Sequence, residues 1–122
     1  MIDDQCRLVV AGSRDIIDQQ VVCDAINESG YWGMITEIVS GGAKGVDAIG
    51  EMLAAANSIP LIVFLPEWKK YGRSAGPIRN EPMAHYCDAA VLIRKDGVAS
   101  KGTTSMMKAM LALNKPVHLK EV

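Results

Sequence analysis

The sequence predicts an α/β fold: one three-layer domain over residues 1–122, with helices covering both faces of a central parallel sheet of about five strands. Two observations predict it. Short β-branched runs alternate with segments whose apolar residues recur every three or four positions, and the alternation persists from end to end. No repeat or low-complexity linker interrupts it, and 122 residues suit one domain of ordinary size.

The first strand is read in RLVVAG (7–12), which ends in a glycine. A helix follows from Asp15 or Asp18 to Ser29, with Ile17, Val21 and Ala25 at four-residue spacing and Gly30 as its stop. MITEIVS (34–40) reads as the second strand. The second helix covers VDAIGEMLAAAN (46–57) and faces the core through Val46, Ile49, Leu53 and Ala56. Gly50 costs that helix about 1 kcal/mol against alanine, so it marks close packing on a strand. LIVFLP (61–66) is the third strand, closed by Pro66, and EWKKYGRSAG (67–76) is a polar loop. Pro77 suits the start of a helix, but Pro82 does not suit a helix interior. A short turn at 77–80 and a helix restarting near 82 are therefore expected. AAVLIR (89–94) is the fourth strand, TTSMMKAMLALN (103–114) the fourth helix with Met106, Met110 and Leu113 inward, and PVHLK (116–120) the fifth strand.

Aromatic residues make up 5% of the chain against 49% apolar, so the core is aliphatic and Met-rich. Cys6, Cys23 and Cys87 are odd in number, far apart and without a CxxC pair, which speaks against a disulfide framework or a zinc ribbon and for a reducing, cytoplasmic setting. The N-terminus does not resemble a signal peptide, and no apolar stretch approaches the ~20 residues of a membrane span, so no membrane partner is expected. His85 and His118 lack ligand spacing; neither a metal nor a cofactor is expected. Residues 1–60 carry three bases against nine acids and residues 61–122 ten bases against five acids. Overall neutrality argues against a nucleic-acid coat, while the basic second half suits a small anion.

In an open parallel sheet, ligands bind beyond the carboxyl ends of the strands. Four loops there carry the unusual residues. AGSRD places Gly12, Ser13 and Arg14 after the first strand. SGGAKGVD (40–47) follows the second: Gly41 and Gly42 can turn their N–H groups toward a phosphate at a helix start, with Ser40, Ala43 and Lys44 alongside. It matches neither GxxxxGK[ST] nor GxGxxG. A tight strand-to-helix turn with no ligand is the simpler alternative, with Asp47 holding the loop. In the third loop, Trp68 and Tyr71 offer faces for a base or ribose, or pack as a lid over the domain edge. Arg73 and Arg79 offer bidentate phosphate contacts, with Asn80 beside the second. SKGTTS (100–105) presents Ser100, Gly102, Thr103, Thr104 and Ser105 at a helix start, either to an anion or as a plain cap.

These motifs, in this order, resemble the SLOG superfamily of Rossmann-like domains, and within it the YspA/YpsA-related branch. AGSRD, SGGAKGVDAIGE, W-KKYGRSAGPIRN-PMA and SKGT ahead of a helix stand where that branch has them. The likeness covers nearly the whole chain. SGGAKGVD also resembles the DprA/Smf DNA-processing proteins, and GPIRN and SKGT resemble the arginine and PGGxGT regions of the LOG phosphoribohydrolases. The resemblance implies a pocket for a nucleotide or nucleotide-derived ligand, its phosphate between Gly41–Gly42 and Gly102–Thr103. LOG-type hydrolases carry glutamates just after their GT pair, where this chain has Thr104, Ser105 and Met106. The acid of that N-glycosidic chemistry is thus missing from its place, leaving Arg79, Glu81 and Asp47 as catalytic candidates.

The function expected first is a sensor or carrier module for a nucleotide-like small molecule. The alternatives are an N-glycosidase or phosphoribohydrolase that splits nucleoside monophosphates into base and ribose 5-phosphate, and DprA-like handling of single-stranded DNA. Net charge and scarce aromatics count against the last, so nucleic acid is not an expected partner. A homo-oligomer is expected.

Overall fold

A computed structural model describes residues 5–98 and 100–122. Strands β1 (Cys6–Gly12), β2 (Ile35–Ser40), β3 (Leu61–Val63), β4 (Ala89–Arg94) and β5 (Val117–Glu121) form one sheet in the order β3-β2-β1-β4-β5, with every neighbouring pair parallel. Helices α1 (Gln19–Ser29), α2 (Val46–Ala56), α3 (Trp68–Tyr71), α4 (Ala75–Tyr86) and α5 (Lys101–Ala112) connect them, with 3-10 turns at Trp32–Met34 and Gly72–Ser74. The arrangement is Rossmann-like, as the alternating pattern predicts.

The sheet separates two cores. Leu8 and Val10 of β1 and Val91 and Ile93 of β4 pack with Val22, Ala25 and Ile26 of α1 and Val46, Ile49 and Leu53 of α2. Val9 and Ala11, turned the opposite way by the two-residue period of a strand, pack with Ala90 and Leu92, Met83 of α4, and Met106 and Met110 of α5. Burial on both faces is why β1 and β4 read as unbroken apolar runs. Gly50 packs as expected: a Cβ there would lie 3.0 Å from the Cβ and Cγ1 of Val10. Burial pushes the thiols of Cys6 and Cys87 up to about 11, leaving them unreactive core residues.

Several expected boundaries move, each for a local reason. Of the two expected starts for α1 the later one holds: the Asp18 carboxylate accepts from the Gln20 amide at 2.9 Å and caps a helix that begins at Gln19. Ile17 therefore precedes the helix and is 83% exposed. Ala56 is exposed and Ala54 is buried in its place. β3 ends at Val63 rather than Pro66, since β2 ends at Ser40, whose carbonyl takes the last available amide, that of Phe64, at 2.9 Å. The polar loop holds the short α3. α5 starts two residues before the expected Thr103.

The largest correction concerns α4, which runs unbroken through Pro82 instead of restarting there. A proline removes one amide and crowds the carbonyl four residues earlier, here that of Ile78. Pro82 and Ile78 both lie on the exposed side of α4, where a carbonyl without its helical donor costs least. No helix among the described residues is long and apolar enough to cross a membrane.

Candidate functional site

Connections from β1 and β4 leave in opposite directions along the sheet, so their loops part at the carboxyl edge and leave a crevice there. The loop after β1 is strapped to β4: the Ser13 amide donates to the Ile93 carbonyl at 2.9 Å. Gly12 is required by this approach, because a Cβ on it would fall 2.0 Å from the Ile93 oxygen. Across the mouth, the Lys95 ammonium meets the Asp15 carboxylate at 2.9 Å. Arg14 is exposed beside it.

Asp47, the second residue of α2, is 4% exposed and lies under the neighbouring turn. Its Oδ1 accepts from the Gly12 amide at 3.3 Å. Its Oδ2 accepts from the Gly41 amide at 3.1 Å and the Ala43 amide at 3.4 Å. The Gly42 amide donates to the Ser40 hydroxyl at 3.1 Å, and that hydroxyl donates to Glu51 Oε2 at 2.7 Å. This corrects the expectation that Gly41 and Gly42 offer bare amides to a phosphate: both are engaged within the chain. The loop ahead of α2 does gather N–H groups around a carboxylate, but that carboxylate is the chain's own Asp47. Burial raises the Asp47 pKa above the ordinary carboxylate range; the amides of Gly12, Ala43 and Gly41 and the charge of Arg79 pull it back only in part.

Arg79 is half-buried and likewise committed. Its Nη1 donates to the carbonyls of Gly41 and Phe64, the latter at 3.2 Å, and its Nε donates to Asn80 Oδ1 at 2.8 Å. Burial lowers its pKa, and Asp47 opposes the shift. Asn80, 4% exposed, donates from Nδ2 to Ser105 Oγ at 3.2 Å. One hydrogen-bonded chain thus crosses the carboxyl edge from the β1 loop to α5, through Gly12, Asp47, Gly41, Arg79, Asn80 and Ser105.

The turn into α5 is built differently. Ser100 Oγ donates to Thr103 Oγ1 at 2.7 Å, and no side chain among the described residues caps the helix. Its first intrahelical bond runs from the Thr104 amide to the Ser100 carbonyl at 2.9 Å. Thr103 is buried, Thr104 half-buried, and Gly102 exposed with open space where a Cβ would be. A shallow groove of about 620 Å³ runs from here between α4 and α5, past Lys101, Lys108 and Glu81. The exposed Glu81 carboxylate lies 3.5 Å from His85 Nε2.

The remaining expected residues are spread out. Lys44 and Arg73 are exposed, and Trp68, 54% exposed, faces Gly76 of α4 with its ring edge. Tyr71 lies under the Lys70 ammonium, 5.1 Å from the ring centroid. Residue patterns missed the parts played by the Phe64 and Ile93 carbonyls, which any residue could supply. They did single out Ser105 at the end of the hydroxyl run of SKGTTS, but not that Asn80 is its partner.

A family model described as YAcAr, the YspA, cpYpsA-related SLOG family, matches residues 6–71. The matched stretch contains the Asp47 turn and ends before Arg79 and α5. The chain is also similar in structure to DNA processing protein A (DprA) from Streptococcus pneumoniae, at a TM-score of 0.70 and 20% identity, over 95% of this chain and 50% of that one. It thus spans about half the length of that protein, and the likeness is one of fold. No curated protein gives a significant match.

Proposed function

The chain belongs to the YspA, cpYpsA-related SLOG family, and from that premise we propose that it binds a nucleotide or nucleotide-derived ligand at the carboxyl edge of its sheet, as a sensor or carrier module. The ligand's phosphate sits at the first turn of α5, around Gly102, Thr103 and Thr104, facing Gly12, Ser13 and Arg14 across the crevice. The observation that carries this reading is the state of the loop amides: those of Gly12, Gly41, Gly42 and Ala43 are already taken by Asp47 and Ser40, which leaves the start of α5, where no side chain among the described residues caps the helix, as the place for a phosphate. Amides at a helix start favour an anion, and Lys101 beside them adds charge. Asp47 and Arg79 serve this site by fixing its walls and do not touch the phosphate.

The experiment is a thermal-shift comparison of nucleoside monophosphates, nucleoside diphosphates and ADP-ribose against the unphosphorylated nucleosides. Ligand at about a hundred times its Kd stabilises the fold by ~2.7 kcal/mol. Phosphorylated compounds are expected to raise the melting temperature and nucleosides to leave it unchanged. Equal shifts from both sets, or none from either, would overturn the reading.

One observation favours a second reading. Glu81 is an exposed carboxylate on the same groove as Ser100, Lys101 and Thr104. A phosphoribohydrolase would use it to stabilise positive charge on the ribose or to orient water. Release of free base from nucleoside monophosphates, lost in a Glu81→Gln variant, decides for this chemistry; no release from purine or pyrimidine substrates decides against it.

A further inference from the structure

The two edges of the sheet are finished differently. β5 carries His118, Lys120 and Glu121. Lys120 reaches Glu28 of α1 at 2.7 Å, and Glu121 pairs with Arg94 at 3.3 Å. Charges along an edge strand discourage another strand from adding to it. β3, at the opposite edge, reads Leu61, Ile62, Val63 and has neither a charge nor a proline within it.

The pairing of β3 with β2 shows which way its backbone faces. The Pro60 carbonyl accepts from the Ile38 amide, and the Phe64 amide donates to the Ser40 carbonyl, both at 2.9 Å. Successive residues of a strand in a parallel ladder face alternate sides, so residues 60, 62 and 64 face β2. The amides and carbonyls of Leu61 and Val63 therefore point out of the sheet. Leu61 is 37% exposed, Val63 39%, Leu65 70% and Trp68 54%. Val63 and Leu65 share one face, since both approach the Cβ direction of Gly42. At ~200 Å² for a large side chain, these four expose on the order of 400 Å², within the range of the largest patch on a typical monomer and about half of the ~800 Å² per partner of a stable interface.

We propose that β3 pairs antiparallel with β3 of a second copy of this chain, about a two-fold axis through Ile62, so that the two sheets become continuous. The outward backbone groups fit this register. Leu61 lies opposite Val63 of the partner copy and exchanges both N–H···O bonds with it, and Val63 does the same with the partner's Leu61. Ile62 faces its own equivalent as a non-hydrogen-bonded pair, as it must, because its backbone is already spent on β2. The strand is its own complement: each outward residue is apolar, and either one matches the other. A two-fold contact of this kind closes on itself, and the edges it leaves are the two charged β5 strands.

The test is sedimentation velocity of the chain over a range of concentrations, with three variants. The wild type is expected to form a dimer. Val63→Lys is expected to be monomeric with an unchanged circular dichroism spectrum, and Lys108→Glu, in the groove between α4 and α5, to remain dimeric. Non-hydrogen-bonded antiparallel pairs bring Cα atoms to ~4.5 Å, within disulfide reach. An Ile62→Cys variant is therefore expected to cross-link into a covalent dimer on mild oxidation while the wild type does not. That variant keeps the test decisive if Val63→Lys fails to fold. A wild type that stays monomeric at every concentration, a dimer dissolved by Lys108→Glu, or an Ile62→Cys chain that does not cross-link overturns the proposal.

Discussion

The turn from β2 into α2 and the turn from β4 into α5 share a plan: a strand ends, small residues follow, and a helix begins with its amides directed back at the carboxyl edge. Of the residues in which they differ, the second of the helix is the one that matters here. In the first, an aspartate stands two positions into the helix and folds back beneath three amides, those of Gly12, Gly41 and Ala43. In the second, the same helical position is Gly102, which has no side chain to fold back. A loop whose amides are filled by its own carboxylate is a structural joint; the proposed anion is left to the turn that has no such carboxylate. Glycine-rich sequence alone does not separate the two cases; where the second helical side chain folds does.

The comparison breaks most visibly if Asp47 is removed. Asp47→Ala leaves three amides without their acceptor and Arg79 without its nearby countercharge, at 1–3 kcal/mol for a single buried unsatisfied group. We expect a loss on the order of 3 kcal/mol, measured by chemical denaturation. A loss below about 1 kcal/mol would mean that water replaces the carboxylate without strain and that the joint is not structural. Arg79→Met comes next. It keeps the packing of the stem but removes the donors to the Gly41 and Phe64 carbonyls and to Asn80. The expected loss is about 2 kcal/mol, with ligand binding weakened only through the looser loop. A variant of unchanged stability that fails to bind would instead put the guanidinium on the ligand.

Gly102→Asp sharpens the contrast from the other side by giving the second turn the residue that the first possesses. The position has open space around it, so the side chain fits. An acid in the first turn of a helix contributes ~0.3–1 kcal/mol through the helix dipole, and replacing a helical glycine also reduces the entropy of the unfolded chain. The variant is therefore expected to be as stable as the wild type or slightly more so, and to show no melting-temperature shift with phosphorylated ligands. A variant that binds as well as the wild type would remove the phosphate from this turn.

The architecture was legible in the sequence because it rests on periodicity. β1 and β4 are buried on both faces and read as such, and the inward methionines of α5 follow their spacing. What periodicity could not decide was competition between local signals. Pro82 carries a strong rule against a helix interior, yet α4 passes through it, with Pro82 and Ile78 both on its exposed side. Ile17 matched the helical spacing of Val21 and Ala25, but Asp18 is the better cap and starts the helix beyond it. At the site, the residue types converging on the carboxyl edge were readable, whereas their allegiance was not. Asp47 can be seen in SGGAKGVD, but whether its oxygens or a ligand's meet the glycine amides depends on the angle between turn and helix, which no spacing encodes.

The smallest expected effect is the pH dependence that Asp47 confers. Burial is the largest influence on its carboxyl and raises its pKa in the fold, with the three amides and Arg79 offsetting part of the shift. A raised value means that the folded chain holds this proton more tightly than the unfolded chain does. The stabilisation from the group is therefore complete below the unfolded value, ~3.9, and is lost as pH rises through the folded value. Asp47→Asn cannot titrate, so it serves as the reference. Between pH 7 and pH 4 the stability of the wild type relative to that variant is expected to move in favour of the wild type as pH falls. Movement in the opposite direction would show that amides and guanidinium together outweigh burial. The carboxylate would then fill its turn as tightly as a bound phosphate would, and the difference between the two turns would be larger than burial alone implies.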